Sequence, residues 1–137
     1  MVNEIILIVD DDIDIAELVK DVLTRKGFRV HIGFCAADAL DFVERSVPDL
    51  IIADIRLGGM SGINLCEMLR RTPATAATPI LMLTADKAKA QKAKALKLGA
   101  NDYITKPFSE KDLEARVQAL LEQAQSRKSG SNPPASD

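Results

Sequence analysis

The sequence predicts an α/β domain built as a doubly wound parallel sheet, and three observations predict it. Short apolar runs such as Ile5–Val9, Leu50–Ala53 and Ile80–Leu83 read as strands buried on both faces. Between them, apolar residues recur at three- and four-residue intervals, the period of one helix face. Five such strands alternating with five helices require crossover connections, and hence parallel pairing under two helical layers. Third, the first run ends in Asp10, Asp11 and Asp12 and the third in Asp54. The carboxyl ends of strands line the ligand crevice of an open α/β sheet.

The first strand, Ile5–Val9, leads into a helix whose apolar face is Ile15, Leu18, Val19, Val22 and Leu23. Asp12 is placed to cap that helix, and Gly27 follows it as a C′ glycine does. Val30, Ile32 and Phe34 alternate as the second strand. Ala36, Ala39, Leu40 and Val43 mark the second helix, which must stop before Pro48. Leu50–Ala53 is the third strand, and the loop Gly58-Gly59-Met60-Ser61 leads to a helix carrying Ile63, Cys66 and Leu69.

A Thr- and Ala-rich connector, Pro73 to Pro79, precedes the fourth strand, which ends at Thr84. The next helix, about Lys87 to Leu98 and closed by Gly99, carries Lys87, Lys89, Lys92, Lys94 and Lys97 and no acid. Its apolar side is mostly Ala, which favours helix but buries little surface, as suits an element that must shift. Tyr103-Ile104 is the fifth strand. Ser109 and Asp112 form a capping box, and Leu113, Val117, Leu120, Leu121 and Ala124 mark the last helix. Beyond it the chain turns polar, so a folded domain is expected over 1–123 and a flexible tail or linker over 124–137.

The 137 residues suit one domain, and 47% hydrophobic with 28% charged residues is ordinary globular composition. A net charge of −2 argues against direct nucleic-acid binding. No run approaches the roughly 18 apolar residues of a membrane span, and the N-terminus lacks the basic region of a signal peptide. Cys35 and Cys66, with His31 the one histidine, read as reduced, buried thiols of a cytoplasmic protein rather than a disulfide or zinc site.

The strand ends together present Asp10, Asp11, Asp54, Thr84 and Lys106. Crowded carboxylates repel, so such a pocket needs a cation or a proton. Hard oxygen donors of this kind suit Mg²⁺, with Mn²⁺ as the alternative, while Lys106 supplies a mobile point charge. Carboxylate, metal, hydroxyl and lysine are what phosphoryl transfer to an acid side chain requires. Each residue alone carries little weight: Asp12 is better explained as a cap, Thr84 by β-propensity and Lys106 as a surface charge. Lys106 precedes Pro107, however, and a cis bond there would fix the lysine's approach. The joint placement is what points to a site.

Val9-Asp10-Asp11, Asp54-Ile55-Arg56-Leu57, Leu83-Thr84-Ala85 and the run Gly99 to Phe108 resemble the receiver domain of two-component response regulators. The resemblance extends from about Glu4 to Leu121 and implies a flavodoxin-like strand order of 2-1-3-4-5. It also implies that Asp54 is the phosphoacceptor for a sensor histidine kinase or phosphotransfer protein. Asp11 and, through water, Asp10 would hold Mg²⁺ with Asp54 and the Arg56 carbonyl. Lys106 and Thr84 would contact the phosphoryl group, and Thr84 with Tyr103 would form the switch. Such a domain is a phosphoacceptor that assists its own chemistry, not an enzyme with an external substrate. Arg56 and Asp86 flank the phosphoryl position and are expected to pair and tune its lifetime.

Lys92, Asp102, Asp112 and Arg116 match positions that pair between subunits in one large subgroup, implying a homodimer through the last two helices and fifth strand. Lys97 departs from that subgroup, which has an acid there. A second departure is Gly58, where family members commonly carry Pro. Two successive glycines are entropically loose and leave the Arg56 carbonyl less preorganised.

Three rivals are weaker. A haloacid dehalogenase-type phosphatase also wants D-x-D, which Asp10 and Asp12 supply, but has no need of Asp54 and wants a paired acid that Asn101-Asp102 does not provide. A flavin site needs amides and hydroxyls for phosphate where three aspartates stand. An EF-hand needs glycine where Ile15 stands.

Overall fold

The computed structural model describes residues 4–85 and 89–130. In chain order the elements are β1 (Ile5–Val9), α1 (Ile13–Arg25), β2 (Arg29–Gly33), α2 (Ala36–Arg45), β3 (Leu50–Asp54), β4 (Arg56–Leu57) and β5 (Met60–Ser61). There follow α3 (Gly62–Arg71), a 3₁₀ turn over Pro73–Thr75, β6 (Ile80–Thr84), α4 (Lys89–Lys97), β7 (Asp102–Thr105) and α5 (Glu110–Gly130). The main sheet has the order β2-β1-β3-β6-β7, every pair parallel. Because a small antiparallel ribbon takes the labels β4 and β5, this is the doubly wound, flavodoxin-like order expected.

Alternation along the strands sends side chains to opposite faces. Leu7, Val9, Ile51, Ala53, Ile80 and Met82 join the core under α2, α3 and α4. Ile6, Ile8, Leu50, Ile52, Leu81 and Leu83 join the core under α1 and α5. The strands β3 and β6 are buried throughout, which is why their sequences are unbroken apolar runs.

Asp12 caps α1 as expected, its Oδ1 accepting from the Asp14 and Ile15 amides at 3.0 and 3.2 Å. Gly27, with φ of +96°, closes it. Its N–H reaches the Thr24 carbonyl and that of Phe28 reaches Leu23, the two bonds of a Schellman motif. The buried stripe of α1 is Ala16, Val19, Val22 and Leu23; Leu18, expected on that face, is 44% exposed. A helix resting on a sheet approaches most closely along a stripe with small residues, so Ala16 lies inward and Leu18 falls on the rim.

Phe34, expected in the second strand, lies beyond β2 and is exposed, its N–H taken by the Asp38 carboxylate at 2.9 Å at the head of α2. Cys66 is buried as expected, with its thiol pKa raised by burial, whereas Cys35 is only half-buried. Both are free.

The loop at Gly58-Gly59 is a hairpin turn: Arg56 pairs with Ser61 and Leu57 with Met60. Gly59 has φ of +83°, the value a type II turn requires at its second central residue. The last helix also runs further than expected, through Gly130 rather than ending near residue 123. Glu122, Gln123, Ala124 and Gln125 are good helix formers that sustain it after the apolar stripe ends, and Gln125 donates to Glu4 at 3.2 Å. Residues 131–137 and the start expected for the fourth helix, Lys87, lie outside the described residues.

Candidate functional site

The strand registers bring the expected residues to one edge. Val9 is level with Ala53, Asp54 with Leu83, and Thr84 with Thr105, so the residues at and just after these positions share the carboxyl end of the sheet. Asp10 follows β1 and is fully buried, Asp54 ends β3 at 7% exposure, and Thr84 ends β6 at 1%. Lys106 follows β7; its backbone N–H bonds the Thr84 carbonyl at 2.7 Å, and the Lys106–Pro107 bond is cis.

One ammonium joins two carboxylates. Lys106 Nζ lies 2.6 Å from Asp54 Oδ2 and 3.4 Å from Asp10 Oδ2. The other oxygens are held by backbone: Asp54 Oδ1 accepts from the Arg56 amide and Asp10 Oδ1 from the Asp12 amide, each at 2.9 Å. Burial raises the Asp10 pKa, and the Asp54 charge raises it further, against the opposing Asp12 amide and Lys106. Burial works against the Lys106 ammonium too, but the hydrogen bond and charge of Asp54, then those of Asp10, hold its pKa above the ordinary lysine value. Among the described residues two carboxylates share this one ammonium, and hard oxygen donors line the crevice.

Asp11 does not join this pair. It is exposed, and its Oδ2 accepts from the Gly58 amide at 3.0 Å across the hairpin. Among the described residues no three His, Cys, Asp or Glu side chains gather as a metal-holding group. Arg56 is exposed on the ribbon, and Asp86 lies outside the described residues. Tyr103 is half-buried against the α2–α4 core, with Lys92 Nζ 4.7 Å from its ring centroid. Arg116 bonds Asp102 at 3.0 Å, Asp112 at 3.1 Å and the Tyr103 carbonyl at 2.9 Å, so groups expected to bridge subunits have partners within the chain.

Gly62 was not singled out by its sequence context. A Cβ there would stand 1.9 Å from the Asp54 carbonyl oxygen, while its N–H bonds the Ile55 carbonyl at 2.7 Å. The first residue of α3 is thus packed directly on the backbone of Asp54. The available signal is a glycine at a helix start already capped by Ser61, which points to close backbone approach. A groove of about 540 Å³ lies at the other end of the sheet, lined by residues such as Val47, Pro48, Pro73, Ala77 and Pro79. Among the described residues it gathers no charged cluster, unlike the carboxyl edge.

With this geometry in place, comparison with known proteins shows residues 6–118 matching the family model of the response regulator receiver domain. The chain belongs to this family. The receiver domain is 40% identical over 134 residues to the transcriptional regulatory protein YvrH of Bacillus subtilis. That match covers 96% of this chain and 55% of YvrH, so the chain spans about half the length of that relative. Among solved structures, a putative response regulator from Chloroflexus aurantiacus is 38% identical with a TM-score of 0.85, the match covering 88% of this chain and 98% of that one. The chemotaxis response regulator CheY4 of Vibrio cholerae is 29% identical with a TM-score of 0.81, over 85% of this chain and 98% of its own. The receiver domain is therefore a two-component signalling module, and no described helix is long and apolar enough to cross a membrane.

Proposed function

We propose that the domain accepts a phosphoryl group on Asp54 from a histidine kinase or phosphotransfer protein and changes conformation in response. The observation that carries this reading is the Lys106 ammonium shared by Asp54 and the fully buried Asp10 at the sheet edge. A carboxylate oxygen of Asp54 forms the new bond to phosphorus as the bond from phosphorus to the donor's histidine nitrogen breaks, its electron pair leaving with the imidazole. The Lys106 ammonium balances charge on the phosphoryl oxygens, and the Thr84 hydroxyl bonds one of them.

Asp10, Asp11, Asp54 and the Arg56 carbonyl are the groups that would hold Mg²⁺, or Mn²⁺. The donor set fits, because Mg²⁺ takes one or two carboxylates and keeps several waters. When bound, the ion supplies positive charge to the transferring phosphoryl oxygens.

Thr84, drawn toward the phosphoryl group, leaves room that Tyr103 fills from its half-buried position, and the change is read on α4, β7 and α5. Those elements form the surface for a homodimer, which requires Arg116, Asp102 and Asp112 to exchange their internal bonds for intersubunit ones. The basic α4 beside Tyr103 suits an acidic partner. The domain turns over no external substrate, works in the cytoplasm, and acts on a partner or output domain rather than on nucleic acid directly. We read residues 124–137 as a tail or linker, helical over its described part through Gly130.

Asp54→Asn should reduce labelling by acetyl phosphate in Mg²⁺ buffer to background; labelling at the wild-type level would move the acceptor elsewhere, Asp10 first. For the expected Arg56–Asp86 pair, Arg56→Ala should speed dephosphorylation severalfold by admitting the hydrolytic water. A rate that stays the same or falls counts against that role.

A further inference from the structure

The residue after Leu57 is Gly58, and its N–H, which a proline there would lack, donates to Asp11 Oδ2 at 3.0 Å. A hydrogen bond to a carboxylate is charge-assisted and among the stronger kinds. The pairs Arg56–Ser61 and Leu57–Met60 and the positive φ of Gly59 define the turn that presents this donor. Asp10 and Asp11 are adjacent in sequence, yet only Asp10 shares Lys106 with Asp54, and among the described residues no third carboxylate completes a metal-holding group.

We infer that the Gly58 amide holds Asp11 away from Asp10 and Asp54, so that recruiting Asp11 to a divalent cation requires this bond to be released. Gly58 is then a positioning residue that lowers divalent-ion affinity and makes the hairpin sense occupancy of the site. The hairpin carries Arg56 and ends in Ser61, the N-cap of α3, so release at Gly58 is transmitted to both. The inference rests on the reading of the crevice as the Mg²⁺ and phosphoryl site.

The test is titration of the full chain with MgCl₂ alone, followed by backbone amide resonances in the wild type, Gly58→Ala and Gly58→Pro. In the wild type the Gly58 amide should begin downfield and move upfield as the ion saturates. Gly58→Ala keeps the N–H, and its Cβ meets Asp11 Oδ2 at an ordinary 3.4 Å, so its affinity should match the wild type. Gly58→Pro removes the donor at the first central position of the turn, where proline is favoured, and should bind Mg²⁺ about fivefold more tightly. Equal or weaker binding by Gly58→Pro, or a wild-type Gly58 amide unmoved at saturation, overturns the inference. The wild-type amide decides the matter even if the proline variant does not fold. If Mg²⁺ moves none of the amides around residues 10, 11 and 54, the receiver reading of the site fails as well, which separates the two failures.

Discussion

Gly62→Ala should destabilise the domain by about 3 kcal/mol, the upper part of the range for overpacking a filled site. The added methyl would stand 1.9 Å from the Asp54 carbonyl oxygen, 2.8 Å from the Asp54 carbonyl carbon and 3.0 Å from the Ile55 Cα. All three are backbone atoms, so no rotamer change relieves the contact; either α3 or the end of β3 must move. Because the carboxylate of Asp54 rides on the displaced segment, its phosphorylation rate should fall together with stability. The check is a urea unfolding midpoint and an acetyl phosphate labelling rate measured on the same sample. A midpoint within experimental error of the wild type would show that the backbone of residue 62 does not pack on Asp54.

Lys106→Met should be the second large effect, and its size should depend on pH. Among the described residues Lys106 is the cation that both Asp10 and Asp54 contact. Removing one partner of a buried charge pair costs about 3 to 5 kcal/mol when the remaining charge stays uncompensated. The sign follows from proton linkage. The Asp10 pKa is already raised in the fold, so the native state binds its proton more tightly than the unfolded chain, and stability from this group falls as pH rises above the ordinary carboxylate range. Without the ammonium that pKa rises further, extending the loss toward neutrality. Lys106 contributes in the same sense but at higher pH: its raised pKa gives stability that is present below the ordinary lysine pKa and lost as pH climbs through the higher native value.

The stability difference between wild type and variant should therefore widen from pH 5 to pH 8. At the acid end a proton on Asp10 relieves the carboxylate repulsion. Urea titrations at the two pH values measure this directly, and a difference independent of pH would mean that the lysine acts by packing alone.

Much of the site was legible in the chain because its chemistry sits where strands end. Asp10, Asp54, Thr84 and Lys106 each follow or close an apolar run, and parallel strands place their carboxyl ends on one edge. The helix signals were local in the same sense: Asp12 and Gly27 cap α1 through groups within a few residues of each other. What escaped were features set by contact between remote segments. Leu18 has the periodicity of a core residue but lies at the rim, because the sheet surface selects which stripe of α1 it receives. The two-residue ribbon at Arg56–Leu57 and Met60–Ser61 is too short to show a period. The helical continuation through Gly130 needs no apolar face, so hydrophobic patterning stopped short of it.

The amino-acid sequence by itself determined the doubly wound fold, the identity of the acids and of the lysine, and the edge at which they meet. It does so because burial pattern and chain direction are properties of short segments. Only the tertiary structure decided which carboxylates share the ammonium. Asp10 and Asp54 do, while the neighbouring Asp11 is held by an amide of the hairpin 47 residues away in the chain. Adjacent residues at a strand end can turn in different directions, and which way each turns depends on the donors that other segments bring to it.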